Sequence, residues 1–195
     1  MSNVPDSPEE FFTQYIPTRF AAVKGGLAGK SSSGSMVFRV APGKEWTFRL
    51  KTGELDIAPG MADDVILQVT VPESDFKAVF VHGAEQSEGQ ELKPEAQVMA
   101  FKALTIDSEK AKLVKNVSGS VAFVITDGDA VRKLVITPGK AAPKLDAPDC
   151  KLECQMSDFI DMQSGKVQPI QLAMSGKIRI VGNAQIPMAL SGVFA

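Results

Sequence analysis

The stretch DCKLECQMSDF, residues 149–159, alternates apolar and polar side chains and then breaks into Ser-Asp-Phe. Cys150, Leu152, Cys154 and Met156 fall on one side of a two-residue period and Lys151, Glu153 and Gln155 on the other, the pattern of a half-buried strand. Ser157 is placed to cap a following helix, with Asp158 in its first turn. A second stretch of the same form, DDVILQVTVPESDF at 63–76, sets Val65, Leu67, Val69 and Val71 on one face before another Ser-Asp-Phe. A strand handing over to a helix is common and by itself says nothing about chemistry.

Upstream of the first step, Met36, Phe38 and Val40 alternate, APGKE turns the chain, and Trp46, Phe48 and Leu50 alternate against Thr47, Arg49 and Lys51, which reads as a hairpin. GELDIAPGMAD is then a loop. Before the hairpin, Ser7-Pro8-Glu9-Glu10 combines a capping serine, a proline at the first helical position and a glutamate at the third, so a helix starts there. Phe11, Phe12, Tyr15 and Ile16 form its apolar face, and Pro17 ends or kinks it before TRFAAV resumes. KGGLAGKSSSGS, residues 24–35, reads as a flexible connector.

The second half echoes the first. GSMVFRVAPG at 34–43 is answered by GSVAFVITDG at 119–128, and EWTFRLKTG at 45–53 by VRKLVITPG at 131–139. Internal duplication is the expectation, with a first unit at 1–115 and a second at 116–195 sharing one continuous sheet. Past the second Ser-Asp-Phe, Pro169 opens a short helix carrying Ile170, Leu172 and Ala173, and Gly176 ends it. Ile178 and Ile180 alternate with Lys177 and Arg179 in a strand, Gly182-Asn183 turns, and AQIPMALSGVFA is a short apolar helix with an awkward proline.

The chain has 195 residues, 44% apolar and 23% charged, with a formal net charge of −2. That is enough to bury a core, and it offers no basic field for a phosphate backbone, so nucleic acid is not an expected partner. The opening MSNVPDSPEE lacks the charged start and apolar run of a secretory signal, and no run reaches the roughly 20 apolar residues of a membrane span. Cys150 and Cys154, four residues apart on a strand at ~3.3 Å per residue, are about 13 Å apart and too distant for a mutual disulfide. A cytoplasmic location is the expectation. Asn116-Val117-Ser118 matches the glycosylation sequon by chance in that reading.

From residue 118 to 190 the sequence resembles the sterol carrier protein family. The features that carry the likeness are Asp149 before the alternating strand, Ser157-Asp158-Phe159, Gly165-Lys166, Pro169, Gly176-Lys177-Ile178-Arg179-Ile180, Gly182-Asn183 and the closing apolar helix. EEFFTQYIPTRF, the first hairpin and ADDVILQVTVPESDF resemble the family less completely. The resemblance implies an α+β fold, a mixed and mainly antiparallel five-stranded sheet covered by helices on one face, around an apolar tunnel for sterols, fatty acyl chains or phospholipids. It implies no catalytic residues and no cofactor. The chain departs from the family in being nearly twice the usual length and in lacking, at 131–139, the tryptophan that the first half keeps as Trp46. Which half holds the tunnel stays open. The SGVFA ending has no Ser-Lys-Leu address of the kind some relatives carry.

Chemistry outside lipid binding finds little purchase. His82 is the single histidine, and acid-base or nucleophilic work needs partners for it. Two thiols with no companion histidine fall short of a zinc set, so no metal is expected, and buried cysteines pack as small hydrophobes. In GLAGKSSS, Gly25 stands one position too close to Gly29-Lys30-Ser31 for a phosphate loop, and the segment follows a helix. The carboxylates are scattered over turns and strand exteriors.

The expected lining is therefore apolar: Phe159, Met162, Ile170, Leu172, Met174, Ile178, Ile180, Met188 and Leu190 in the second half, or Trp46 and Phe48 in the first. Methionine adapts to variable contents. The function expected is non-catalytic binding and intracellular transfer of a hydrophobic small-molecule ligand, a lipid, in a pocket of ~300–1,000 Å³, with transient membrane contact on handover. The rival is an accessory or scaffolding subunit whose cavity is filled and which docks a partner protein. Glu85–Glu95 and Ala184–Phe194 are candidate gates, since a lid must open at low cost.

Overall fold

The computed structural model describes residues 4–88, 101, 104–164 and 166–194, with the backbone alone at 86–88 and 192–194. Ser7 caps the first helix as its sequence suggests, its Oγ accepting from the Glu10 amide. The helical run 8–23 (α1) comprises Pro8–Glu10, a π-helical stretch Phe11–Tyr15 and Ile16–Val23. Pro17 neither ends nor visibly breaks it. The π stretch lies immediately before, so the proline falls in the first turn of the next α-helical segment, where its missing N–H is least costly.

Eight strands form one sheet: β1 Ser35–Ala41, β2 Lys44–Lys51, β3 Glu54–Pro59, β4 Val65–Pro72, β5 Val121–Asp127, β6 Ala130–Pro138, β7 Cys150–Gln155 and β8 Arg179–Gly182, in spatial order β3-β2-β1-β4-β6-β5-β7-β8. The fold is α+β with a mixed sheet. Only β1–β4 and β5–β7 are parallel, and the remaining neighbours are antiparallel. In each half the first strand of a hairpin pairs in parallel with a later strand that feeds a helix, β1 with β4 and β5 with β7, and the first half inserts β3 between hairpin and later strand. The helices are the run 73–88 (α2, with a π-helical stretch Lys77–Val81), α3 Ser108–Lys115, α4 Met156–Gln163, α5 Pro169–Met174 and α6 Gln185–Phe194.

The sheet departs from the five strands that the resemblance implied. β4 pairs with β6 through Leu67–Pro138 to Thr70–Val135, which fuses the strands of both halves into one ladder. β3 lies inside what reads as a loop. Leu55 and Ile57 alternate there with Glu54 and Asp56, and Pro59 sits at its last residue on the sheet edge, where a proline is tolerated. The 24–35 connector is pinned rather than free: Leu50 N–H donates to Ser32 Oγ, Thr52 N–H to Ser31 Oγ, and Ser33 N–H to the Ile106 carbonyl. Ser157 does not cap α4; the helix begins two residues earlier than that cap would place it, at Met156, with Gln155 in the capping position.

Aromatic rings cluster between α1 and the sheet in the first half. Phe12 from α1 reaches down to the sheet, its ring 4.8 Å from Trp46, 5.7 Å from Phe48 and 5.8 Å from Phe76, while Phe38 and Phe48 meet at 4.6 Å. Trp46 and Phe48 are 2% and 3% exposed. β4 is covered on both faces, because Gln68 and Thr70 on the side away from the helices are fully buried and the Gln68 amide donates to the Gly139 and Ala141 carbonyls of the segment after β6.

Candidate functional site

Over β5–β8 the helices do not close down on the sheet, and a cavity of about 300 Å³ remains. Val121 and Phe123 of β5, Ile136 of β6 and Leu152 of β7 supply its floor, all on the helix-facing side by strand alternation. Ile178 and Ile180 line it from β8 and the turn before it. The cover is α5, with Pro169, Ile170 and Ala173, and α6, with Pro187, Met188 and Leu190. Phe159 of α4 backs the floor, its ring 5.5 Å from Phe123.

The echoed strings carry different side chains. Where the first half places Trp46, Phe48 and Leu50, the second places Arg132, Leu134 and Ile136, and Arg132 turns to Asp75 and Asp127 in ion pairs. At the echoed position a large ring is thus replaced by a partly buried guanidinium paired with the buried Asp75. The Phe12 ring, from α1, packs on the rings of the first half.

Charge is absent from the lining. Its two polar side chains belong to Gln168 and Ser191. The Ser191 hydroxyl donates to the Met188 carbonyl at 2.7 Å, and the Gln168 amide N–H donates to Gln171 Oε1 at 3.2 Å, the contact that holds the start of α5. Just outside, Lys177 donates to Asp158 Oδ1 at 2.8 Å and ties the turn after α5 to the first turn of α4. The Asp158 hydrogen bond and charge hold the Lys177 ammonium above the usual lysine range. Burial pushes the Cys154 thiol up to about 11, with the Asp158 carboxylate adding to it, so Cys154 is a neutral packing group and no nucleophile near neutral pH. Among the described residues no cluster of His, Cys, Asp and Glu could hold a metal ion, and no helix is long and apolar enough to cross a membrane.

Of the residues expected to line a site, the cavity brings together Ile170, Ile178, Ile180, Met188 and Leu190. Phe159 and Leu172 lie in the core beside it, Met162 packs against that core, and Met174 stands 84% exposed on the outer side of α5. Trp46 and Phe48 belong to the aromatic packing of the other half. The cavity also uses Val121, Phe123, Ile136, Leu152 and Pro187, which were missed; the first four carry the same inward alternation and could have been found from it. The candidate gate at Ala184–Phe194 contains α6. The other begins within α2, and residues 89–95 lie outside the described residues.

Residues 100–195 match the family model of the SCP-2 sterol transfer family. This segment is a sterol-carrier-type domain. Human sterol carrier protein 2 is 30% identical over 95 residues, 45% of this chain and 17% of its own length. Hydroxysteroid dehydrogenase-like protein 2 of Xenopus tropicalis is 29% identical over 133 residues, 65% of this chain and 31% of its own. The chain thus spans less than a third of the curated relatives it matches. Among solved structures, sterol carrier protein 2 like 2 of Aedes aegypti is similar at 15% identity and a TM-score of 0.35, covering 58% of this chain and 97% of that one. The palmitate complex of sterol carrier protein 2 from the same organism has 18% identity and a TM-score of 0.35, covering 50% and 87%. The cavity lies within the segment that the sterol-carrier model matches.

Proposed function

We propose that this protein binds an apolar lipid, a sterol or a fatty acyl chain, in the cavity between α5, α6 and strands β5–β8, and transfers it without chemical change. The observation that carries this reading is an uncharged, apolar cavity of about 300 Å³ inside the sterol-carrier-type segment. That size is at the lower end for ligand sites, and burial at roughly 25 cal/mol per Å² of apolar ligand surface supplies the driving force. A carboxylate or ammonium taken into such a lining would lose its hydration with nothing to replace it, so the polar end of the ligand stays at the mouth. The lining carries no carboxylate, amine, imidazole or thiol, and the Ser191 hydroxyl donates to the Met188 carbonyl, which supports a carrier over an enzyme. Two buried, unpaired thiols suit a reducing compartment such as the cytoplasm. The aromatic packing of the first half supports the sheet that carries the cavity.

Solvent extraction of the purified chain followed by mass spectrometry is expected to return co-purified lipid, and the stripped protein to take up a fluorescent fatty acid. Ala173→Phe, which projects a ring from α5 into the cavity, should weaken that uptake by about tenfold or more with the chain still folded, since a filled pocket must expel the ring to admit a tail. Unchanged uptake in Ala173→Phe would move the site elsewhere, and no uptake at all would leave the accessory-subunit reading.

A further inference from the structure

The chain holds eight methionines, and six of them lie among the described residues. Of these six, Met36 is in the core, Met61, Met156 and Met162 are half-buried, and Met174 and Met188 stand out at 84% and 70% exposed. Met188 differs from Met174 in one respect: it lines the cavity, in a stretch of wall shared with Ile170, Ile180, Pro187 and Leu190. Its thioether is thus reachable from water and part of an apolar wall at once. The two thiols of the chain are buried, so a water-borne oxidant meets the exposed thioethers first.

A peroxide oxidises a thioether without a catalytic base. The sulfur lone pair attacks one peroxide oxygen, the O–O bond breaks as the S–O bond forms, and the second oxygen leaves as water, so the sulfur gives up two electrons and the peroxide takes them. The product, a methionine sulfoxide, is polar where the thioether was apolar. Held against the wall, its oxygen would shed hydration with little in return. Of the two polar side chains in the lining, Ser191 already gives its proton to the Met188 carbonyl, and Gln168 is engaged with Gln171 in the reciprocal cap of α5. The oxidised side chain therefore turns to water, and the wall loses one of its members. Helix α6 itself stays in place, because Ile186 and Leu190 remain buried one turn apart.

We propose that Met188 is a redox-sensitive modification site in the cavity wall. Its oxidation by a peroxide lowers the affinity for lipid, and a thiol-dependent sulfoxide reductase restores it, the oxygen leaving as water while two thiols become a disulfide. This rests on the lipid-binding reading of the same cavity.

The full chain would be treated with dilute hydrogen peroxide, its oxidised methionines mapped by mass spectrometry of peptides, and its affinity for a fluorescent fatty acid measured before and after. Met174 and Met188 are expected to gain oxygen ahead of Met61, Met156 and Met162, and affinity to fall by about fivefold or more, the worth of an apolar contact or two. Met174→Leu should show the same fall and Met188→Leu, whatever its starting affinity, none. Saturating fatty acid should slow the oxidation of Met188 severalfold and leave that of Met174 as it was, because a tail in the cavity covers the one and not the other. Incubation with the sulfoxide reductases for both epimers should return the affinity. Oxidation of Met188 with affinity unaltered, a loss of affinity that persists in Met188→Leu, or oxidation of Met188 no faster than that of the half-buried methionines would each overturn the proposal. Uptake that peroxide leaves unchanged sinks this proposal alone, whereas no uptake by the untreated chain sinks the lipid-binding reading with it.

Discussion

Phe12 decides the character of one half of the molecule. Its ring touches those of Trp46, Phe48 and Phe76 and occupies volume that would otherwise be a second cavity. Phe12→Ala should cost about 3–5 kcal/mol of stability in a denaturant titration, the usual range for emptying a buried aromatic site. Fatty-acid affinity should stay unaltered, because the ring has no part in the second-half lining. The sequence marks Phe12, Trp46 and Phe48 as inward, yet period alone does not tell a ring that meets other rings from one that faces empty space. The same limit applies to Met174. Four positions from Ile170, it reads as the same helical face, but α5 has only six residues, too few turns to bury a full stripe, and Met174 ends up outermost.

At the scale of elements, β8 is laddered to β7, and the Lys177–Asp158 bridge ties the turn between α5 and β8 to α4. Asp158→Asn would keep the shape and remove the charge. The expected outcome is faster release of bound fatty acid in stopped-flow displacement, together with faster amide exchange at 175–182, since a cover that opens more often lets its contents out sooner. Unchanged release would mean that α6, and not α5, is the moving cover. The strands with clean alternation were legible from sequence, β1, β2, β4 and β7 above all. β3 was not, because two charges, a proline and flanking glycines give it the composition of a turn, and only its pairing with β2 makes it a strand. The 24–35 segment misled for a related reason: Gly and Ser confer freedom on an isolated chain, while here the Ser31 and Ser32 hydroxyls each accept a backbone N–H.

On the scale of the whole molecule, the order of elements could be read from the two Ser-Asp-Phe steps, whereas the β4–β6 seam could not, since nothing in either strand's pattern names its antiparallel neighbour. That seam makes the second half dependent on the first. A chain starting at residue 104 would lack β4, leave the outer edge of β6 without its ladder, and strip the Gly139 and Ala141 carbonyls of the Gln68 amide. Such a fragment should lose cooperative thermal unfolding by circular dichroism and aggregate on size-exclusion chromatography, as open hydrophobic edges do; a sharp, reversible melt would show that the half stands alone. β4, sheathed on both sides, is laddered to β6, so the floor of the cavity continues sideways into a strand that is held on both faces. Guests of unequal girth must then be met by tilting of the two covering helices, and a broad sterol and a slender acyl chain should leave the strands alike while setting α5 and α6 at different heights.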